Sequence, residues 1–285
     1  MQAKKRTKRL PPWFRIPRTT SERFISVRNQ IKENNLHTVC RSAACPNQVE
    51  CWNAGTAAFM ILGNVCTRAC RFCNVPKGTP GGIDLEEPNR IAAAVAALNL
   101  TYTVVTSVTR DDLEDGGAGI FATTIRAIRA KAPGCRVEVL IPDFQGSCGS
   151  LRMVLDAGPD VLNHNLETVP SLYPRVRPQA DYARSLELLR RAGSFSAVTK
   201  TGIMLGLGER TDEVRAVMAD IRAGGCEILT MGQYLQPNKS ALPVEKYYHP
   251  DEFSTLREES LAMGFRQVES GPLVRSSYHA GKYRA

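Results

Sequence analysis

Residues 57–73 read Ala-Ala-Phe-Met-Ile-Leu-Gly-Asn-Val-Cys66-Thr-Arg-Ala-Cys70-Arg-Phe-Cys73. The first six residues form an apolar run of strand length, and the following Gly-Asn pair ends it. Three cysteines come directly after this predicted strand. Thiolates select soft or borderline metals, chiefly zinc and iron–sulfur clusters. The stretch therefore predicts a metal centre attached to the end of a buried strand.

Apolar runs of strand length alternate with helical patterns along the rest of the chain. Further strands are predicted at 102–107, 137–141, 161–162, 197–205 and 228–234, and helices at 90–98, 120–132, 151–157, 182–192, 213–223 and 251–263. Such alternation favours a parallel sheet covered by helices, and six units fit a partial barrel or a doubly wound sheet. In both folds, ligands bind at the C-terminal ends of the strands.

The composition suits a large globular core and argues against a membrane or secreted protein. The chain has 285 residues, of which 43% are hydrophobic, enough for one large barrel or two ordinary domains. Its longest apolar runs are far too short to span a bilayer, and no segment resembles a secretion signal. We therefore expect a cytoplasmic protein without a membrane partner, whose clustered cysteines bind metal rather than form disulfides.

The positive charge is concentrated at the N-terminus. The formal net charge is +9, and residues 1–18 hold seven Lys or Arg and no acid, which leaves 9 − 7 = +2 for the rest. A basic tail is typical of a nucleic-acid binder, of a protein with an acidic partner, or of a solvated terminus. Trp13, Phe14 and Ile16 are apolar enough to pin this tail onto the body of the protein.

A second cysteine triplet precedes the strand. Cys40, Cys45 and Cys51 lie in a segment rich in Ser, Asn and Pro, which predicts irregular backbone. Each triplet has three thiolates and is one ligand short of a closed four-ligand site, and two incomplete sites side by side favour redox chemistry. The other cysteines have no motif and are predicted to be small buried hydrophobic residues: Cys135, Cys148 and Cys226.

The spacing of Cys66, Cys70 and Cys73 resembles that of the radical S-adenosylmethionine superfamily. There, three cysteines bind three irons of a [4Fe–4S] cluster, and the open fourth iron binds the amino and carboxylate groups of S-adenosylmethionine. The resemblance implies that the reduced cluster cleaves this cofactor to a radical that abstracts hydrogen. Phe72 matches the superfamily's aromatic residue near the adenine.

The chain also resembles the lipoyl synthase family over nearly its whole length. The resemblance is carried by the first triplet with its flanking Pro46-Asn47 and Trp52-Asn53, and by residues 59–63, 106–113, 163–168, 176–178, 206–209, 232–237 and 275–280. Glu114 and Gln179 depart from the family pattern. The resemblance implies an α/β fold with a partial (β/α)6 TIM-type barrel at 56–265. Extensions at 1–55 and 266–285 would cover its open face, the first with the auxiliary-cluster cysteines and the second with an Arg-Ser-Ser-Tyr motif.

A lipoyl synthase inserts two sulfur atoms, at C6 and C8, into an octanoyl group held on a lysine of a carrier protein. The resemblance implies that Cys40, Cys45 and Cys51 hold an auxiliary [4Fe–4S] cluster that donates the sulfur. It also implies that a serine of the Arg-Ser-Ser-Tyr motif is the fourth ligand, and we expect Ser277 rather than Ser276. A serine oxygen is harder than a thiolate and holds iron less tightly, which suits a cluster that is dismantled.

Polar residues at predicted strand ends are candidates for contacts with S-adenosylmethionine. We expect Asn165 and Glu167 to bind its ribose hydroxyls or amino group, and Ser107 and Arg110 to bind its carboxylate. Gly206 belongs to a segment that resembles the superfamily's glycine-containing strand beside the adenine.

The resemblance implies octanoylated carrier proteins as partners, namely the lipoyl domains of 2-oxoacid dehydrogenase E2 components and the glycine cleavage H protein. It further implies an electron donor such as ferredoxin or flavodoxin, an iron–sulfur carrier protein, and no nucleic acid. On the sequence alone, two other interpretations stay open. One is a radical enzyme that modifies RNA and binds it through the basic tail, and the other is an electron carrier or zinc-binding module.

Overall fold

The computed structural model describes residues 10–15, 19–54, 56–195, 197–278 and 280–282. The remaining positions, which include most of the basic tail, Ile16 and His279, lie outside the described residues.

Strands and helices alternate through the described part of the chain. The strands are β1 (His37–Thr38), β2 (Ala58–Ile61), β3 (Tyr102–Ser107), β4 (Arg136–Leu140), β5 (Val161–Asn163), β6 (Val198–Leu205), β7 (Ile228–Gln233) and β8 (Gln267–Gly271). The α-helices are α1 (Glu22–Glu33), α2 (Val39–Ser42), α3 (Gln48–Asn53), α4 (Glu87–Ala97), α5 (Ala118–Lys131), α6 (Cys148–Leu155), α7 (Tyr173–Val176), α8 (Tyr182–Ser194), α9 (Thr211–Ala223) and α10 (Pro250–Ala262).

The strands form a single eight-stranded sheet in which they keep their order along the chain. β1 pairs with β2 in antiparallel orientation, whereas β2 to β8 are parallel. Each of β2 to β7 is followed by a helix, and α5 packs between α4 and α6. The fold is therefore α/β, a partial barrel of six strand–helix units with one more strand at each edge, which confirms the predicted fold class.

The six predicted strands are all present, with each end within one residue of its predicted position. These strands could be recognised in the sequence as continuous apolar runs because parallel strands are covered on both faces, and every residue of β2 is indeed buried. The helix predicted before the first cysteine triplet is α1. Its N-cap is Ser21, whose side chain accepts a hydrogen bond from the backbone N–H of Phe24 at 3.2 Å.

Three features differ from the sequence-based expectations. The segment of the first triplet is not irregular throughout, because Cys40 lies in α2 and Cys51 in α3. β8 was not predicted, since its residues are polar and mostly half-buried. Cys148 is exposed at the start of α6, so the prediction that it is a buried hydrophobic residue was wrong, whereas Cys135 and Cys226 are buried as predicted.

The start of the described chain packs on the loop between β7 and α10. Phe14 is buried and its ring lies 5.8 Å from that of Tyr247, while the ring of Trp13 lies 5.0 Å from that of His249. Aromatic pairs at these separations stabilise the contact between their segments. Trp13 and Phe14 therefore pin the N-terminal segment to the body of the protein, as predicted.

A buried ion pair crosses the interior of the sheet. Lys200 on β6 lies 2.9 Å and 3.0 Å from the two carboxylate oxygens of Glu138 on β4, and both side chains are fully buried. The carboxylate also accepts hydrogen bonds from Tyr102 at 2.7 Å and Asn163 at 3.1 Å. These bonds offset the cost of desolvating both charges, so removal of one partner would leave the other unpaired in the core.

His164 follows β5 and is buried in its neutral form. Its Nδ1 lies 2.9 Å from the carbonyl oxygen of Ile141, which can only accept, so Nδ1 carries the proton. Its Nε2 lies 3.0 Å from the hydroxyl of Ser185. Burial, helped by the positive charge of Arg177, lowers the pKa of His164 to about 4.

The depressed pKa of His164 predicts a loss of stability in acid. The unfolded chain binds a proton at this site near pH 6.5, whereas the folded protein does so only near pH 4. The contribution of His164 is therefore complete above pH 6.5 and lost progressively as the pH falls to about 4, by about 3 kcal/mol in total. We expect the unfolding free energy of metal-free His164→Gln, measured with urea, to fall less over this range than that of the wild type. The exposed His249→Gln variant is the control, and equal slopes for all three proteins would contradict the prediction.

Candidate metal and cofactor site

The triplet of Cys66, Cys70 and Cys73 lies in the loop that follows β2. The backbone N–H of Thr109, just beyond β3, donates to Cys66 Sγ at 3.3 Å, and that of Val75 donates to Cys73 Sγ at 3.4 Å. N–H groups directed at sulfur stabilise a thiolate. The loop therefore presents its sulfurs at the C-terminal ends of β2 and β3, where the sequence analysis placed them.

The three thiols of this loop are close enough to influence one another. Burial, opposed by the charge of Arg177 and assisted by Cys73 and Cys66, raises the pKa of Cys70 to about 11. Burial also raises the pKa of Cys73, to which Cys66 and Glu167 contribute. Deprotonation of Cys70 and Cys73 at neutral pH therefore needs a compensating cation, which a metal cluster supplies.

The other triplet is held by two short helices and the turn between them. The backbone N–H of Cys45 donates to the carbonyl oxygen of Cys40 at 3.0 Å, and that of Cys51 to the carbonyl oxygen of Asn47 at 2.9 Å. Burial, together with the effect of neighbouring thiols of the triplet, raises the pKa of Cys40 to about 11 and that of Cys51 to about 12. This mutual influence indicates that the three sulfurs share one site.

Neither triplet is arranged around a single ion. In the described ranges, no three His, Cys, Asp or Glu side chains come together closely enough to hold one metal ion. The ligands of an iron–sulfur cluster bind different irons, so they are spread around the cluster instead of meeting at one point.

The C-terminal segment lies against the first triplet. Asn47 donates a side-chain hydrogen bond to the carbonyl oxygen of Leu273 at 2.6 Å, and the hydroxyl of Tyr278 donates to the Glu50 carboxylate at 2.9 Å. A hydrogen bond of 2.8 Å from the N–H of Tyr278 to the carbonyl oxygen of Arg275 closes a turn with Ser276 and Ser277 at its centre. The structure thus brings both serines to the neighbourhood of Cys45 and Cys51, more than 200 residues away in sequence.

A glycine on β7 permits this approach. A Cβ atom added to Gly232 would lie 2.0 Å from the carbonyl oxygen of Val274. Any side chain at this position would push the C-terminal segment off the sheet. The motif around Gly232 does not reveal the role of this glycine, because its contact partner is 42 residues away in sequence.

A cavity of about 470 Å³ lies between the two cysteine loops. Its lining includes all three cysteines of the second triplet, residues of the first-triplet loop (Val39, Ala43, Ala44 and Pro46) and residues of the C-terminal segment (Val274, Arg275 and Ser276). The second triplet and the loop that carries the first triplet therefore border the same chamber, at the C-terminal ends of the parallel strands. Cys40, Cys45, Cys51 and Ser277 themselves are not part of its lining in the described chain.

Four of the predicted contacts for S-adenosylmethionine line this cavity: Phe72, Ser107, Asn165 and Glu167. Ser107 Oγ and Asn165 Oδ1 are buried and have no hydrogen-bond partner in the described part of the chain. Buried polar atoms without partners are costly, and a polar ligand in the cavity would satisfy them. A Cβ on Gly202 would lie 2.6 Å from Thr230 Oγ1 and 3.0 Å from Asn165 Oδ1, so the missing side chain leaves room for this arrangement.

Glu167 combines partial burial with a strained backbone. Its φ is +67°, a conformation unfavourable for a residue other than glycine, and backbone hydrogen bonds to Gly202 and Met204 on β6 hold it there. Its carboxylate accepts a hydrogen bond from Asn165 Nδ2 at 3.1 Å. Burial raises the pKa of Glu167, and the nearby Arg177 opposes this effect. The strain directs a carboxylate to a place where a cationic or hydroxyl-bearing ligand can use it.

Two predicted contacts lie elsewhere. Arg110 is buried and forms an ion pair with Asp112, with an Nη2–Oδ2 distance of 2.8 Å. Gly206 has a φ of +107°, and a Cβ there would lie 2.1 Å from the side chain of Gln233. Neither residue lines the cavity in the described chain. Gly206 therefore serves the packing of the loop after β6, and the roles expected for these two residues remain predictions.

Two arginines that line the cavity, the buried Arg177 and the half-buried Arg275, were not predicted as site residues. Arg177 lines the cavity, donates to the carbonyl oxygens of Asn165 and Leu166 at 2.8 and 2.9 Å, and its charge acts on Cys70. Arg275 also lines the cavity, and its charge partly opposes the rise in the pKa of Cys45 that burial causes. Arg177 lies in residues 176–178, one of the segments that resemble the family, and this was the sequence signal that could have identified it as a site residue.

Comparison with known proteins matches residues 60–221 to the family model described as "Radical SAM superfamily". Lipoyl synthase of Koribacter versatilis is 57% identical over 272 residues, which cover 95% of this chain and 90% of that protein. Lipoyl synthase of Bacillus subtilis is 54% identical over 275 residues, with coverages of 95% and 92%. Lipoyl synthase of Halalkalibacterium halodurans is 52% identical over 283 residues, with coverages of 98% and 93%.

Solved structures share the fold at low sequence identity. Methylornithine synthase has a TM-score of 0.56 at 13% identity, over 86% of this chain and 81% of that one. HydG, a maturase of the [FeFe]-hydrogenase, has a TM-score of 0.57 at 15% identity, over 78% and 60%. Streptococcus suis SuiB has a TM-score of 0.60 at 7% identity, over 87% and 52%. These likenesses concern the fold alone.

The contact between Gly232 and Val274 predicts a selective loss of metal. In Gly232→Ala the added methyl group displaces the C-terminal segment from the first triplet, whereas the second triplet keeps its backbone contacts. We expect the iron content after anaerobic reconstitution to fall by about half, because one of two similar sites is lost. Gly193→Ala is the matched control, since a Cβ at Gly193 meets no atom within 4 Å. An unchanged iron content in Gly232→Ala would contradict the prediction.

Proposed function

Because this chain belongs to the lipoyl synthase family of radical S-adenosylmethionine enzymes, we propose that its cavity is the active site, with Cys66, Cys70 and Cys73 on one side and Cys40, Cys45, Cys51 and Ser277 on the other. The family establishes the activity and the cofactors. The protein is a sulfurtransferase of lipoate biosynthesis with two [4Fe–4S] clusters and S-adenosylmethionine. It inserts two sulfur atoms, at C6 and C8, into a protein-bound octanoyl-lysine group, with the auxiliary cluster as sulfur donor. The observation that carries the site assignment is the single cavity bordered by both cysteine loops.

When bound, the cluster at the second triplet supplies a hydrogen-abstracting radical from S-adenosylmethionine, and the cluster at the first triplet supplies sulfur. The chain's own residues position the reactants and exclude water. Apolar side chains line much of the cavity, among them Met60, Val39, Ile203 and Val274. Such a lining accepts an alkyl chain and keeps solvent from a reactive intermediate.

The polar residues of the cavity suit S-adenosylmethionine. In this proposal, the Glu167 carboxylate and Asn165 bind its ribose hydroxyls or amino group, and Ser107 binds its carboxylate. The support is the strained, half-buried position of Glu167 and the Ser107 and Asn165 oxygens that lack a hydrogen-bond partner in the described chain. Phe72 lines the same part of the cavity as the cysteines and would cover the adenine.

The fourth ligand of the auxiliary cluster is proposed to be Ser277. Its turn is tied to the first-triplet loop through the contacts of Asn47 and Tyr278. An oxygen ligand binds iron less tightly than a thiolate, which favours release of iron and sulfide from that cluster. Ser276, which lines the cavity, is the alternative ligand within the same turn.

Lipoyl synthases act on lipoyl-carrier proteins, and the specific partners remain proposals. They are the E2 lipoyl domains of 2-oxoacid dehydrogenases and the glycine cleavage H protein, with ferredoxin or flavodoxin as electron donor and an iron–sulfur carrier protein for cluster repair. In the described part of the chain, helices long and apolar enough to cross a membrane are absent. A cytoplasmic location and the lack of nucleic-acid and membrane partners are likewise proposed.

The activity can be tested on a small substrate. We expect reconstituted protein, incubated anaerobically with S-adenosylmethionine, dithionite and an octanoyl-lysine peptide, to add two sulfur atoms. By mass spectrometry the product gains two sulfurs and loses two hydrogens as the closed disulfide, or loses none as the dithiol. Auxiliary-cluster iron should decrease as product forms. Product without sulfur, or a cluster that survives turnover, would contradict the proposal.

The ligand assignment predicts unequal effects of two neighbouring substitutions. Ser277→Ala should lose most auxiliary-cluster iron while the radical cluster still reductively cleaves S-adenosylmethionine, because only one corner of one cluster is removed. Ser276→Ala, in the same turn, is the control and should keep both clusters. Iron and sulfide analysis with electron paramagnetic resonance measures both. If Ser276→Ala loses the cluster and Ser277→Ala keeps it, the assignment is wrong.

A further inference from the structure

The mouth of the cavity carries cations that the chemistry inside it does not use. Lys77 lines the cavity and is exposed, which marks the open side. Arg41, Arg71 and Lys239 are exposed as well, and each is within two residues of a residue that lines the cavity. We call these four residues the rim cations.

Backbone and side-chain contacts hold the rim segments together. Asn74 donates a hydrogen bond to the carbonyl oxygen of Ser42 at 2.9 Å and accepts one from Asn238 at 2.8 Å. Ser42 is next to Arg41, and Asn238 is next to Lys239. The carbonyl oxygen of Arg71 accepts from the N–H of Leu242 at 2.9 Å. Three loops that are distant in sequence therefore present their cations around the same opening.

The rim cations lack carboxylate partners among the residues that the structure describes. Within the part of the chain that the structure describes, none of the four forms an ion pair, whereas exposed arginines elsewhere are commonly paired, as in Arg190–Glu187 and Arg215–Glu259. The chain beyond residue 18 carries a formal charge of only 9 − 7 = +2. Four unpaired positive charges around one opening are thus a local excess on a nearly neutral body.

We propose that the rim cations are the docking surface for the carrier protein, and that they recognise acidic residues flanking its octanoyl-lysine. The proposal rests on the function proposed above. An acyl-lysine arm has a fixed length, so the carrier backbone must lie at the rim when the acyl chain is in the cavity. Opposite charges at such a contact steer association and fix orientation, and exposed pairs add modest affinity.

The effect of charge should appear in substrate binding and in its dependence on salt. The wild type should use an octanoyl-lysine peptide with Asp and Glu flanks at a KM about tenfold lower than the same peptide with Asn and Gln flanks. This preference should shrink as sodium chloride is raised from about 50 mM to about 500 mM, because exposed charges are screened. Reversal of Arg41 and Lys239 to Glu should abolish or invert the preference while turnover of the neutral peptide stays unchanged.

The matched control is Arg126→Glu, an exposed, unpaired arginine on the outer helix α5. Iron analysis of every variant verifies that both clusters are intact. Where the double reversal loses iron, the comparison of the two peptides on the wild type decides the question. Equal KM values for the two peptides, or a preference that survives the double reversal, would overturn the docking proposal and leave the sulfur insertion standing. Failure of the wild type to process either peptide would instead contradict the proposed function.

Discussion

The free energy needed to ionise cysteine thiols in a buried cavity is the constraint on which the rest of this structure depends. Burial raises the pKa of five of the six clustered cysteines: Cys40, Cys45, Cys51, Cys70 and Cys73. The metal-free protein therefore holds neutral thiols at neutral pH, and the iron that binds them must supply the missing positive charge. Two arginines help, because the half-buried Arg275 lies near Cys45 and the buried Arg177 lies near Cys70. The polypeptide alone leaves the site unfinished, and the clusters complete it.

The barrel solves the problem of bringing the two sulfur sets to one chamber. Parallel strands end at the same edge of the sheet, so the loops after β2, β3, β5 and β7 meet there without long excursions. The proposed auxiliary site also requires that the C-terminal segment reach the first triplet. This is possible because Gly232 has no side chain, so Val274 and the C-terminal segment can lie directly on the sheet.

The sequence predicted those features whose signal is local. The six strands and their helices could be placed because each is a continuous apolar or periodic run, and the cysteine loops because their spacing is itself the motif. Features made by distant pairs gave no such signal. Lys200 and Glu138 are 62 residues apart, and in the sequence each is only a charged residue within a strand. Gly232 likewise cannot be distinguished in the sequence from other strand glycines. Arg110 was expected to bind a carboxylate, and the structure gives it one within its own loop, Asp112.

The two metal sites differ in how they are attached to the barrel, and this difference matches their chemistry. The proposed radical site is attached to the sheet, because the Cys66 loop is hydrogen-bonded to Thr109, beyond the neighbouring strand, and to Pro76 within the same loop. The proposed auxiliary site is formed by peripheral segments, joined by side-chain hydrogen bonds such as those of Asn47 and Tyr278. Local opening is easiest where few contacts must break. The cluster that is consumed can therefore be dismantled and rebuilt at the edge of the fold, while the barrel holds the other cluster and its cofactor in position.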